Sequence, residues 1–153
     1  MSSNMSADVT KLLKKIEADK VKFIRLQFTD IQGQPKNVSI PVIQAEKALT
    51  EGIWFDGSSI EGFARIEESD MMLTPDPTTY AVLPWRPQEG KVARFICDVQ
   101  TYGNKPFDGD PRYILRKMIA EAAKSGFSFN TGPELEFFLF KMYFDCFLNH
   151  CPQ

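Results

Sequence analysis

Gly132-Pro133-Glu134-Leu135-Glu136-Phe137-Phe138-Leu139-Phe140 places two carboxylates in an otherwise apolar run. Such a run reads as a buried strand, a poor surface element because of Phe137 to Phe140. Side chains alternate faces along a strand, so Glu134 and Glu136 point the same way. Two like charges on one face of a buried strand are costly unless a cation or a proton neutralises them. One reading is a hard divalent cation, Mg²⁺ or Mn²⁺, held through carboxylate oxygen. The other is a strand end at which both groups reach solvent. Two ligands do not complete a metal site in either case.

Ahead of this segment, Ile114, Leu115, Met118, Ile119, Ala122 and Ala123 predict an amphipathic helix, capped by Asp110-Pro111 and ended by Gly126. A lone helix and strand cannot bury their own apolar faces, so they imply the start of a larger domain. They follow a punctuated stretch from Tyr102 to Pro111 and a mixed α/β unit of about 100 residues, an ordinary domain size. In that unit, residues 1–7 read as a loose tail. Val9, Leu12, Leu13 and Ile16 predict a helix, and 21–28 and 36–40 predict strands across a turn at 29–35. Pro41 opens a short helix with Val42, Ala45, Ala48 and Leu49 facing inward, stopped at Gly52. Residues 54–79 read as a long irregular loop, of a kind that is usually functional. Strands are predicted at 80–85 and 92–99.

Within the long loop, Asp56-Gly57-Ser58-Ser59 is open to two readings. In one, Asp56 and Ser58 bond the local backbone in a turn; in the other, Asp56 attracts a cation. Arg65 lies among Glu61, Glu67, Glu68 and Asp70, which suits a local ion pair or recognition of a carboxylate ligand. Cys97 belongs to an apolar strand and reads as core. Cys146, His150 and Cys151 lack the spacing and the fourth ligand of a zinc site. A net charge of −2 gives no basic footprint for nucleic acid. No apolar run approaches the roughly 20 residues of a membrane span. Three Cys, an odd number, fit a reducing cytoplasm better than a disulfide scaffold.

The segments Phe28-Thr29-Asp30 with Gly33, Phe55 to Ile60, Glu67 to Met71, Pro75-Asp76-Pro77 and Gly132 to Phe138 are collinear. Together they resemble the N-terminal third of a type I glutamine synthetase, over about residues 8–141. The resemblance implies an α+β fold: a β-grasp domain, then the first helix and strand of a truncated catalytic domain. The division it implies is a tail and helix at 1–19, the β-grasp domain at 20–103, the catalytic start at 104–141 and a non-homologous tail at 142–153.

The resemblance further implies a ligase that joins ammonia to glutamate at the expense of ATP, with Mg²⁺ or Mn²⁺, in a cytoplasmic ring-shaped homo-oligomer of dodecameric type. Asp56 matches the catalytic acid that binds ammonium and helps deprotonate it, within a loop that reaches the neighbouring subunit; Ser58 lies beside it in the substrate site. Glu134 and Glu136 match metal ligands, and Arg65 an arginine linked to glutamine feedback. Membrane and nucleic acid are not among the implied partners. The isolated chain is expected to be inactive, since the other metal ligands and the ATP site have no counterpart in it. The alternative is a non-catalytic β-grasp module that docks to full-length synthetase subunits.

Overall fold

A computed structural model describes residues 2–60, 70–86 and 90–140, with side chains from residue 7. Helix α1 (Ser2–Ala18) leads into strands β1 (Val21–Thr29) and β2 (Pro35–Pro41). A 3₁₀ turn, Val42–Gln44, precedes helix α2 (Ala45–Glu51). Strands β3 (Ile53–Asp56), β4 (Asp70–Pro75), β5 (Ala81–Val82), β6 (Lys91–Thr101) and β7 (Lys105–Pro106) follow, then helix α3 (Pro111–Lys124).

The sheet is built around β6. Its order is β2-β1-β6-β4-β3, with β5 and β7 also paired to β6. Strand β6 has 11 residues, long enough for its two halves to take different neighbours. Lys91 to Ile96 run parallel to β1, whereas Cys97 to Gln100 pair antiparallel with β4. A parallel central pair inside antiparallel arms, packed by helices, is the α+β β-grasp arrangement.

Periodicity explains which side is core. Ala93, Phe95, Cys97 and Val99 alternate inward along β6, and Ile24, Leu26 and Phe28 do so along β1. A register shift between Val21 and Phe23 changes the parity at the start of β1, so Val21 and Ile24 both face inward while Phe23 faces out. Ile16 of α1 and Ala45 and Ala48 of α2 close the core over this face. Each large aliphatic side chain buried there contributes about 1.5–3 kcal/mol. Burial also pushes the Cys97 thiol above its usual range, in keeping with a core cysteine.

Four expectations need correction. Residues 2–7 are not a tail but the first turns of α1, since no Gly or Pro interrupts Ser2–Ala18. The stretch at 54–79 is not wholly irregular. It contains β3 and β4, whose Met71, Met72 and Leu73 are all buried and therefore show no alternation. The strand at 80–85 shrinks to Ala81–Val82, because Leu83 to Arg86 turn away. Finally, the run around Glu134 and Glu136 is neither buried nor paired: Phe138 is 88% exposed, and no ladder forms on 127–140. A strand needs a neighbour to take its backbone N–H and C=O groups, and the described residues place none there. Pairing on β7 carries the sheet past residue 103, to Lys105–Pro106.

Candidate functional site

Strand β3 delivers Asp56 to the edge of the sheet. The Phe28 and Phe55 rings, 5.1 Å apart between centroids, anchor the strand just before it. The chain then tightens into a 3₁₀ turn, Gly57–Ser59. Ser58 donates its backbone N–H and its hydroxyl to Asp56 Oδ1, at 2.9 and 2.6 Å, and the Ser59 hydroxyl donates to the Asp56 carbonyl at 2.7 Å. The local-turn reading of this loop is therefore correct as geometry. It does not exclude the cation reading, because Asp56 remains exposed with its rotamer fixed. Asp56 and Ser59 line a recess of about 510 Å³ with Phe28, Lys36, Asn37 and Phe55.

Beyond the recess, Asp30 shapes the β1–β2 turn. It is buried and accepts from the Gln32 and Gln34 amides at 3.0 and 2.8 Å, with Lys36 Nζ at 3.4 Å. Desolvation pushes its pKa upward, but the two amides and Lys36 outweigh it and hold the carboxyl below its usual range.

The same turn occurs a second time. Asp76 accepts from Thr78 N–H and Thr78 Oγ1 at 3.0 and 2.6 Å, and Thr79 Oγ1 donates to the Asp76 carbonyl at 2.7 Å. Here the carboxylate serves a different end. Arg112 of α3 hydrogen-bonds Asp76, and its Nε lies 3.3 Å from Asp98 Oδ1. Arg116, one turn on, reaches Asp98 Oδ2 at 2.5 Å and Asp76 Oδ2 at 3.6 Å. Asp110, only 1% exposed, caps α3 through Arg112 N–H and accepts from Val99 N–H of β6, both at 3.0 Å. These residues fasten the start of α3 to the sheet. Sequence reasoning treated Asp110 only as a helix cap and missed Asp98, Arg112 and Arg116. The repeat of Asp-x-[Ser/Thr]-[Ser/Thr] at 56–59 and 76–79 could have pointed to the Asp76 turn, but no local signal marks Asp98, Arg112 or Arg116, which meet only in the tertiary structure.

Glu134 and Glu136 lie in the exposed segment after α3 and are not brought near Asp56 by any described contact. Carboxylate oxygens are the right donors for Mg²⁺ or Mn²⁺. However, no group of three His, Cys, Asp or Glu among the described residues is placed to hold a metal ion. The pair suits a hard cation in donor type and is incomplete in number. Arg65, Glu61, Glu67, Glu68, Cys146, His150 and Cys151 lie outside the described residues. No helix among the described residues is long and apolar enough to cross a membrane.

Comparison with known proteins agrees with this architecture. Residues 20–102 match the glutamine synthetase β-grasp domain, and residues 108–146 match the glutamine synthetase catalytic domain. The chain is 57% identical over 141 residues to the glutamine synthetase of Halobacterium salinarum, covering 92% of this chain and 31% of that one. It is 56% identical over 131 residues to the glutamine synthetase of Methanosarcina mazei, covering 86% of this chain and 29% of that one. Among solved structures, Plasmodium falciparum glutamine synthetase superposes with a TM-score of 0.68 at 22% identity, over 77% of this chain and 23% of that one, a likeness of fold. A GmaS–ADP complex gives a TM-score of 0.67 at 26% identity, over 74% of this chain and 26% of its own. The chain thus spans about 30% of the length of the curated relatives it matches. With 20–102 and 108–146 both accounted for by consecutive domains of one enzyme, the chain belongs to the glutamine synthetase family.

Proposed function

We propose that the chain carries the ammonium-binding loop and the first metal ligands of a glutamate–ammonia ligase. The observation that carries this reading is Asp56, an exposed carboxylate whose Oδ1 is fixed by two donors of Ser58 beside a recess. In the reaction, the γ-carboxylate of glutamate takes the terminal phosphoryl group of ATP and ADP leaves. Ammonia nitrogen then attacks the acyl carbon and phosphate leaves, giving glutamine. Ammonium must first lose a proton, and Asp56 is the group that attracts the cation and accepts that proton. Ser58 holds the carboxylate in place and is part of the substrate site.

Glu134 and Glu136 would be two of the ligands to Mg²⁺ or Mn²⁺. When bound, such ions neutralise phosphate charge during phosphoryl transfer. With the incomplete ligand set described above, the chain alone is expected to make no glutamine. Family membership supports ATP, glutamate and ammonia as substrates, a ring-shaped homo-oligomer as the assembly and the cytoplasm as the compartment. Arg65 is assigned to glutamine feedback on the same basis. The division at 1–19, 20–103, 104–141 and 142–153 belongs to this reading.

The test is a chimera in which residues 8–141 replace the matching region of the Methanosarcina mazei relative. Glutamine formation from ammonia is expected, and Asp56→Asn should lower kcat by about 10²–10⁴-fold, the usual worth of a general base. An Asp56→Asn chimera that keeps its full rate would sink the assignment.

A further inference from the structure

Two kinds of contact give Asp56 its place. The bonds from Ser58 and Ser59 close a turn on itself, so they fix the carboxylate within the loop but not the loop against the molecule. Strand β3 does that, and it is short: four residues at the edge of the sheet, with β4 as its ladder neighbour. The last rung of that ladder sets Asp56 opposite Asp70, and like charges directly opposite one another weaken a pair. A second tie comes from Phe55, the residue before Asp56, whose ring rests on that of Phe28 at 5.1 Å between centroids. Strands β6 and β4 separate β1 from β3 in the sheet, so this contact joins the edge strand directly to the central parallel pair. Phe28 itself is well held. It is 4% exposed and pairs with Lys36 of β2, two residues ahead of the buried Asp30 that shapes the β1–β2 turn.

We infer that Phe28 is a positioning residue for Asp56: its ring, through Phe55, sets where the carboxylate stands when a proton is taken from ammonium. The inference rests on the ammonium-binding reading of Asp56 and adds to it the residue that places the carboxylate. A general base must lie within hydrogen-bond reach of the proton it accepts, and a small misplacement is expensive in rate. Tilted aromatic pairs prefer a defined geometry, so the contact sets the direction of Phe55 and does more than bury it. An aliphatic side chain at position 28 would still fill core space but offer no ring face. The β4 ladder, with its like-charged last rung, and the packing of Ile53 and Ile60 would then be left to place Asp56. Phe28 carries no group that takes or gives a proton, so its effect on rate runs through placement.

The test uses the chimera of residues 8–141 with the Methanosarcina mazei relative. Phe28→Leu is expected to lower kcat about tenfold, the order of cost of a sub-ångström misplacement, and to leave KM for glutamate and ATP unchanged. The deciding measurement is the double variant. Because Phe28 acts through Asp56, Phe28→Leu should cost nothing further in the Asp56→Asn background. A merely structural phenylalanine would slow both backgrounds by the same factor. Ile24→Val, a buried change four residues back along β1, is expected to keep the full rate. Should Phe28→Leu fail to fold, Phe55→Leu removes the same ring contact from the other side, with the same pattern expected. Three outcomes overturn this inference alone: a full rate for Phe28→Leu where Asp56→Asn is slow, equal losses in the two backgrounds, or the same loss in Ile24→Val. An Asp56→Asn chimera at full rate removes the reading of Asp56, and the inference with it.

Discussion

One carboxylate of Asp110 holds two elements together: Oδ2 accepts from Val99 N–H in β6, and Oδ1 accepts from Arg112 N–H in α3. The helix therefore starts where the sheet dictates. Asp110→Ala removes a helix cap worth about 1 kcal/mol. It also orphans the Val99 amide in a buried position, at about 1–3 kcal/mol. A loss of about 2–4 kcal/mol is expected in urea unfolding followed by circular dichroism. Asp56→Ala, which removes the cap of an exposed turn, should cost no more than about 1 kcal/mol. Equal losses for the two variants would contradict the bridging role.

Asp76 sets a pH dependence. Desolvation raises its pKa, but hydrogen bonds from Thr78 and Arg112 prevail and leave it below the usual carboxylate range. A depressed folded pKa contributes stability above the unfolded value, and that contribution is lost as pH falls through the folded value. Wild-type stability should thus decline below about pH 4, and Asp76→Asn should flatten that limb while lowering stability at neutral pH. Asp110 has the opposite sign. Burial raises its pKa despite the Val99 and Arg112 amides, so protonation relieves a cost there. Thermal melts from pH 2.5 to 7 would distinguish the two; an unchanged acid limb in Asp76→Asn would refute the assignment.

Gly52 ends α2 at φ 79° and ψ 178°, a region nearly exclusive to glycine. A Cβ there would also lie 2.8 Å from Met72 Cγ and Sδ. Gly33, at φ 81°, has open space around it. Gly52→Ala should cost about 2–4 kcal/mol, combining backbone strain and overpacking. Gly33→Ala carries only the backbone part, about 1–2 kcal/mol. Denaturant midpoints for the two variants provide the comparison, and similar values would show that the Met72 contact yields freely.

Helix α3 presents Leu115 and Met118, 50% and 58% exposed, on an apolar face that no described element covers. Contiguous apolar surface of this kind drives association. The double variant Leu115→Glu, Met118→Lys should reduce concentration-dependent light scattering while changing stability by no more than about 0.5 kcal/mol. A large loss of stability would mean that this face is packed in solution.

Local chemistry sufficed for much of this protein. The alternation of Ala93, Phe95, Cys97 and Val99, the cap at Asp110 and the stop at Gly52 are each determined within a few residues, where backbone preference and side-chain period act. The collinear motifs identify the family for the same reason: they are short and ordered along the chain. Other features needed the fold. The consecutive buried residues of β4 conceal a strand from any alternation rule, because both of its faces are covered. The apolar run at 137–140 suggests burial, yet it is exposed, since burial depends on a neighbour and not on the run itself. Two turns of the same chemistry part ways as well. Asp56 is left at the edge of a recess and Asp76 is bound to α3, because only the tertiary structure brings Arg112 and Arg116 to one of them. The sequence by itself determined α2, α3, the β1, β2 and β6 strands, the core face of the sheet and the family. Tertiary packing decided that the Asp76, Asp98 and Asp110 carboxylates hold α3 to the sheet, because pairing across dozens of residues depends on distances that no local pattern encodes.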